Sequence, residues 1–390
     1  MAASLLAPDL LSEAVAVRRD LHAHPELGFR EVRTAGIVAE TLRGLGLEVH
    51  TGVGETGVVG LLRGGHDGRT VMLRADMDAL PMQEESDAPY RSQNAGVMHA
   101  CGHDAHVAML LGAARALVAS ADELHGRIAF VFQPAEEGGG GAKAMLRDGL
   151  IGRFEIARAF GLHISCILPS GVIGVRPGPI MAAVDQFDLV VEGRGGHGAM
   201  PHTAVDPIVV AADLVGTLQR VVSREVDPVE PAVVTIGAIN GGTTYNVIPP
   251  RVALKGTVRT FSETTRATME GRIRRIAEHT CAAGSAHCTL DWHASYPVTT
   301  NDPAQTAFLR ETLVAELGAP RVVEIPPIMG SEDFSYFANE VPACFAFLGA
   351  GDASHANPNH HPAFDIDETA MATGIAAHVA LALAATARER

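Results

Sequence analysis

The sequence is short of positive charge. Its 30 lysines and arginines face 45 aspartates and glutamates, a formal net charge of −15. Nucleic-acid affinity rests on cationic side chains meeting phosphates, and an anionic membrane surface attracts the same groups. The balance therefore argues against both partners. Long apolar runs are also missing. Stretches such as Ile128 to Phe132 stay far below the roughly 18 residues of a membrane span. The apolar C-terminal stretch carries His378 and ends in Arg388, Glu389 and Arg390. Met1 to Pro8 has neither a basic start nor a long apolar core, so no secretory leader is expected. Cysteine is sparse and odd in number: Cys101, Cys166, Cys281, Cys288 and Cys344 are five, with no CxxC pair. That usage predicts free thiols in a reducing compartment, and so a cytoplasmic protein.

What is present is the composition of a folded protein, 47% hydrophobic and 19% charged over 390 residues. That length exceeds one ordinary core and predicts two domains. Leu10, Leu11, Ala14, Val17 and Leu21 recur at helical spacing. Val58 to Leu62, Thr70 to Leu73, Ile128 to Phe132 and Ala157 to Leu162 read as short buried strands. Val107 to Val118 and Ala142 to Leu150 read as helices. This alternation predicts an α/β domain with a mostly parallel central sheet flanked by helices. Near Met181 the pattern changes. Strands at Phe187 to Val191, Val233 to Ala238, Val252 to Thr260 and Cys288 to Trp292, with helices at Pro207 to Val222 and Glu263 to Cys281, follow the order βαββαβ. That is a split-βαβ, ferredoxin-like α+β sandwich. The α/β pattern resumes after Tyr296, with a strand at Ala343 to Leu348 and a helix from Glu368. The expected organisation is one domain made of 1–183 and 294–390, with 184–293 inserted into it.

Open parallel sheets place ligands at the carboxyl ends of their strands. Asp76 and Asp78 follow one predicted strand, and Glu136 and Glu137 another. His163 ends a third, and His360 and His361 lie in the loop beyond a fourth. A fifth group, His99-Ala100-Cys101-Gly102-His103-Asp104-Ala105-His106, opens a helix. Thiolate, imidazole and carboxylate are the ligands of zinc and its neighbours. Cys101 and His103 are close enough in a turn to serve one site, and a cation beside Cys101 would favour its thiolate. Adjacent glutamates at a strand end can face opposite ways, so that one binds metal while the other handles a proton. A metal-dependent hydrolase needs both groups. The remaining candidates read as structural. Cys166, Cys281, Cys288 and Cys344 are small buried hydrophobes, and His22 and His24, before Pro25, are helix caps. Gly193 to His197 lacks the GK[ST] of a phosphate loop.

Ten stretches, in order along nearly the whole chain, resemble the aminoacylase and carboxypeptidase-like metallohydrolases. The similarity is to their amidohydrolase branch of hippurate hydrolases, N-acyl-amino-acid amidohydrolases and auxin-conjugate hydrolases. They are LHAHPELGFRE (21–31), RADMDALP (74–81), MHACGHDAHVAMLLGAA (98–114), VFQPAEEGGGGAKAM (131–145), GLH (161–163), GRGGHGAMPH (193–202), YNVIPP (245–250), GTVRTF (256–261), GSEDFSYF (330–337) and HHPAFDIDE (360–368). The resemblance implies a zinc-peptidase-like catalytic domain with two divalent ions (Zn, Mn, Co or Ni) held by Cys101, His103, Glu137, His163 and His360. Cys101 would bridge the ions, and His360 is preferred over His361 because it stands two residues before Pro362. It makes Glu136 the general base and Asp78 an orienting residue, with Asp76 less defined. It also implies that the inserted domain is a lid and the dimerisation surface of a homodimer. His197 there would stabilise an oxyanion, and Asn246 and Arg259 would meet the substrate's carboxylate. The expected reaction is hydrolysis of an N-acyl amino acid, a small-molecule substrate. A dipeptidase or carboxypeptidase on the same site, a Cys101 nucleophile with His103 as base, and a non-catalytic binding protein are the alternatives.

Overall fold

Short apolar strands alternating with helices build the first of two units in the chain. The computed structural model describes residues 9–387. The 1–8 segment, where no leader is expected, and the charged end at 388–390 lie outside the described residues. The first unit is the described part of Met1–Ile180, with Thr300–Pro326 and Asp333–Arg390. The second is Met181–Thr299 with Pro327–Glu332.

In the first unit, helices α1 (Leu10–Ala23) and α2 (Val32–Gly44) precede strands β1 (Glu48–Val53), β2 (Gly57–Arg63) and β3 (His66–Asp76). Helix α3 (His103–Val118) and strand β4 (His125–Gln133) follow. Then come α4 (Gly141–Arg147), α5 (Leu150–Phe154), β5 (Ile156–Pro169) and β6 (Ile173–Val175). Together with strands Val322–Glu324 and Ala343–Gly351 they form one eight-stranded sheet. Its order is β1, β2, β4, β3, β5, Ala343–Gly351, β6, Val322–Glu324. The central pairs β4–β3, β3–β5 and β5 with Ala343–Gly351 are parallel. β1–β2 and β2–β4 are antiparallel, so Val58 to Leu62 belongs to an edge hairpin and not to the parallel centre.

The central strands are apolar on both faces because both are covered. β4 is buried from Ile128 to Gln133, and α3 is buried over nearly its whole circumference. A helix apolar all round is a core helix, and α3 lies in the main apolar cluster with the final helix Ala370–Ala385. Two local readings are corrected. The helix expected over Ala142 to Leu150 is two, because Gly149 takes the left-handed φ of 77° between them. His163 does not end its strand, since β5 continues to Pro169.

The second unit is a four-stranded antiparallel sheet. Its order is Ala232–Gly241, Arg251–Thr260, Ala183–Glu192, His287–Ala294. Phe187, Leu189 and Val191 alternate inward and share a core with residues of helices Pro207–Arg220 and Glu263–Ala283. Both helices start at capped ends. Asp206 accepts from Ile208 N, and the Ser262 side chain accepts from Thr265 N. This is the βαββαβ order read from 184–293. Among the described residues, no helix is long and apolar enough to cross a membrane.

Candidate metal centre

Three turns at the carboxyl edge of the central strands create the candidate centre. Gly102, between Cys101 and His103, caps α3 in the left-handed region at φ 87°. A Cβ there would stand 3.3 Å from Ile164 Cβ, so glycine meets both the backbone and the space requirement. Ala135, just before the glutamate pair, holds φ 48° without being glycine, and its N–H donates to Glu31 Oε1 at 2.8 Å. His360 holds φ 68°. Non-glycine residues pay about 1 kcal/mol or more for such backbone, which persists where surrounding contacts overdetermine it. Ala135 adjoins a candidate functional residue, and His360 is one.

Asp78 organises the pair. Its two carboxylate oxygens accept from Glu136 N and Glu137 N, each at 2.9 Å, while its carbonyl accepts from His103 Nδ1 at 2.8 Å. One residue therefore fixes both the glutamate turn and an imidazole tautomer. With Nδ1 donating, Nε2 is the nitrogen that His103 offers to an ion in place of a proton. This nitrogen is buried and stands 4.0 Å from Glu137 Oε1. His163 is arranged alike: Nδ1 donates to Ile164 O at 2.7 Å and Nε2 meets Cys101 Sγ at 3.4 Å. His360 Nε2 lies 3.1 Å from Glu137 Oε1. Ligating atoms of Cys101, His103 and Glu137 lie within 4.8 Å of one another. All five residues named as ligands are therefore brought together.

This donor set fits divalent ions. Two buried imidazole nitrogens, a thiol and a carboxylate converge where hydrogen bonding leaves His103 Nε2 unused. The surroundings also favour positive charge. Hydrogen bonds to Cys101 and Glu137 raise the His360 pKa to about 10. His103 is held well above the usual histidine range by Asp76 and Asp78 against the opposing effect of burial. Burial and the Glu137 carboxylate push the Cys101 thiol up. A cation reverses that last effect, since metal-bound thiols are deprotonated.

Asp76, His103, His106 and His163 form a second close group. His106 is committed elsewhere, because its Nε2 accepts from Ile164 N at 2.8 Å and its Nδ1 donates to Asp76 Oδ1 at 2.5 Å. Asp76 also takes 2.7 Å contact from the fully buried Arg74, whose other arms reach Gln133 and Asp333. Asp333 N in turn donates to Glu136 Oε1 at 3.4 Å. Neither His106 nor Asp333 receives a role from sequence alone, although both lie in stretches that carry the resemblance. Their part as hydrogen-bond supports becomes visible only in three dimensions.

His22 is corrected from a helix cap to a buried ion partner, whereas His24 does accept the capping role by donating to Asp20 O at 2.8 Å. Burial alone would keep the His22 imidazole neutral. Asp104 at 2.8 Å and Glu84 at 3.3 Å raise its pKa to about 9, from 6.5 for the free side chain. Below pH 6.5 folded and unfolded chains both hold this proton and the pairing contributes fully. As pH rises through 9 the folded chain loses the proton and the contribution, about 3 kcal/mol, disappears. The unfolding free energy should therefore fall more steeply between pH 6.5 and 9.5 for the wild type than for His22→Gln. Equal slopes would refute the pairing. Of the other cysteines, Cys166, Cys281 and Cys344 are buried as expected, and Cys288 is only half-buried.

His197, Asn246 and Arg259 belong to the second unit. His197 is exposed and opposite Val247, and its Nδ1 accepts from Ala199 N at 3.1 Å, which leaves the proton on Nε2. Asn246 is exposed, with its carbonyl accepting from Gly198 N at 2.8 Å. Arg259 is half-buried and donates to Ser331 Oγ at 2.8 Å. Burial alone lowers its pKa, with no acidic group among the causes.

The profile of peptidase family M20/M25/M40 matches residues 72–384. The chain is 44% identical over 375 residues to thermostable carboxypeptidase 2 of Saccharolobus solfataricus, covering 95% of this chain and 94% of that one. It is 41% identical over 362 residues to an N-acetyl-L-cysteine deacetylase of Bacillus subtilis, covering 93% and 85%. A crystal structure of the Bacillus subtilis YXEP protein, described as a dinuclear metal binding peptidase from the M20 family, superposes with a TM-score of 0.85 at 35% identity. It covers 97% of this chain and 99% of that one. With matches of this extent the protein is a member of peptidase family M20/M25/M40, a family of hydrolases.

Proposed function

We propose that the protein hydrolyses the amide bond of N-acyl amino acids, releasing a carboxylic acid and an amino acid. The observation that carries this reading is the convergence of Cys101, His103, Glu137, His163 and His360 beside the buried carboxylate of Glu136. Those five side chains would hold two divalent ions. Zn, Mn, Co and Ni all suit such a donor set. When bound, the ions supply Lewis acidity that acidifies water and polarises the amide carbonyl. Glu136 takes the proton of the attacking water and returns it to the departing nitrogen. Asp78 keeps Glu136 and Glu137 on their opposed tasks by holding both backbone N–H groups.

The second unit, proposed as the inserted lid over about 184–293, supplies the remaining groups. His197, with its proton on Nε2, donates to the oxyanion. Asn246 and Arg259 meet the free carboxylate of the amino acid, and among the described residues Arg259 donates to the neutral Ser331 Oγ, which leaves its charge available for that anion. The same unit is the dimerisation surface in this reading. Five free cysteines suit a reducing cytoplasm.

A carboxypeptidase activity is the second reading, favoured by the name of the relative at 44% identity. The metal-reconstituted protein should turn over benzoyl- and acetyl-amino acids faster than peptides with a free amino terminus. Faster cleavage of the peptides would favour the carboxypeptidase. Failure on every acyl amino acid with both ions bound would reject the amidohydrolase reading.

A further inference from the structure

The His360 loop is tied down at both ends. At its start, His360 N donates to Ala100 O at 2.7 Å, and Asn359 Nδ2 donates to Cys101 O at 3.1 Å and Ile164 O at 3.2 Å. At its end stands a guanidinium with no exposed surface. Arg18 Nη2 meets Asp365 Oδ1 at 2.7 Å, and Nη1 meets Glu368 Oε1 at 2.9 Å. Its Nε meets Asp104 Oδ2 at 3.1 Å. Asp104 follows His103 in the first turn of α3, while Asp365 and Glu368 close the loop that His360 opens. One side chain on α1 thus joins the two segments that carry these imidazoles. Three carboxylates gathered this closely would otherwise repel, and a planar fork with donors in three directions suits them as a lysine would not. Arg19, 46% exposed, meets Glu368 at 2.6 Å from the solvent side and lies over the Tyr90 ring, 4.7 Å from its centroid.

We propose that Arg18 is a positioning residue of the metal centre, holding the His360 loop against the first turn of α3 so that His103 and His360 are ordered before an ion binds. The inference rests on the metal-hydrolase reading above. It explains how His360 keeps its left-handed backbone while half exposed at the surface: the loop on both sides of it is anchored to buried partners.

The test is a Zn(II) titration against a chromogenic chelator, with melting temperatures of the metal-free proteins measured alongside. The double variant Asp365→Asn/Glu368→Gln removes both charges through which Arg18 holds the loop and leaves the balanced Arg18–Asp104 pair in the core. It should bind one ion like the wild type and the other about 10- to 100-fold more weakly, the range for loss of a ligand's support. Its metal-free melting temperature should stay close to the wild-type value, and excess Zn(II) should restore kcat. Arg19→Ala should bind both ions normally. Wild-type affinity for both ions in the double variant overturns the proposal. So does an equal loss for both ions that tracks a fall in metal-free melting temperature, or an equal loss in Arg19→Ala. If the wild type itself takes up no Zn(II), the metal-hydrolase reading falls and this inference with it. A wild type that binds two ions beside an unaffected double variant removes the inference alone.

Discussion

Glu136→Gln is expected to lower kcat by about 10²- to 10⁴-fold, the contribution of a positioned general acid–base, while the protein keeps both ions. The substitution preserves size and leaves the backbone N–H bonded to Asp78 Oδ1. Glu137, whose Oε1 faces His103 and His360, is untouched. What changes is the ability to take and return a proton. Glu136 is 6% exposed, so bulk water is a poor substitute at that position. Metal content and kcat should be measured on one preparation with an acyl amino acid that the wild type hydrolyses. A near wild-type rate would place the base elsewhere. Loss of an ion would show that Glu136 is a ligand and not a base.

Cys101→Ala is expected to lower metal affinity by about 100-fold or more, beyond the 10- to 100-fold typical of losing an outer-shell support. Activity should fall to background at metal concentrations that saturate the wild type. The thiol sits between His163 Nε2 at 3.4 Å and the His103–Glu137 pair, so its loss removes a donor from the middle of the set. The same variant separates the metal reading from a cysteine nucleophile. A nucleophilic Cys101 would need His103 to take its proton. Burial with Glu137 pushes the thiol pKa up, opposite to what a nucleophile requires. Activity lost with both ions still bound at wild-type affinity would reinstate the nucleophile. Titration of Zn(II) and assay of the same samples decide between them.

The parts of the fold read best from sequence are those with a strong local period. α3 is recognisable from Leu110, Leu111, Ala114 and Leu117, and the sheet of the second unit from Phe187, Leu189 and Val191, which alternate inward as expected. The helix Pro303–Leu317 is absent from the sequence reading. Its start is nevertheless encoded, with Asp302 accepting from Gln305 N and Pro303 at the first helical position. Val58 to Leu62, in the edge hairpin β1–β2, passes for a strand of the parallel centre because a short apolar run carries no information on strand direction.

By itself the sequence determined the residue types and their local order. Cys101 and His103 are two apart at the start of a core helix, Glu136 and Glu137 are adjacent beyond a buried strand, and the stretch after Met181 carries the order βαββαβ. Spacing and hydrophobic period are local properties, so they are legible one segment at a time. Tertiary structure alone decided which nitrogen each imidazole presents. Asp78 O turns Nε2 of His103 toward Glu137, and Ile164 O turns Nε2 of His163 toward Cys101. Ile164 N takes the lone pair of His106 out of contention. It also decided what neutralises the buried charges. Arg18 reaches Asp104 and Asp365 across 86 and 347 residues, and Arg74 reaches Asp333 across 259. A charge removed from water must find a partner wherever the fold brings one, and nothing in local spacing records where that is.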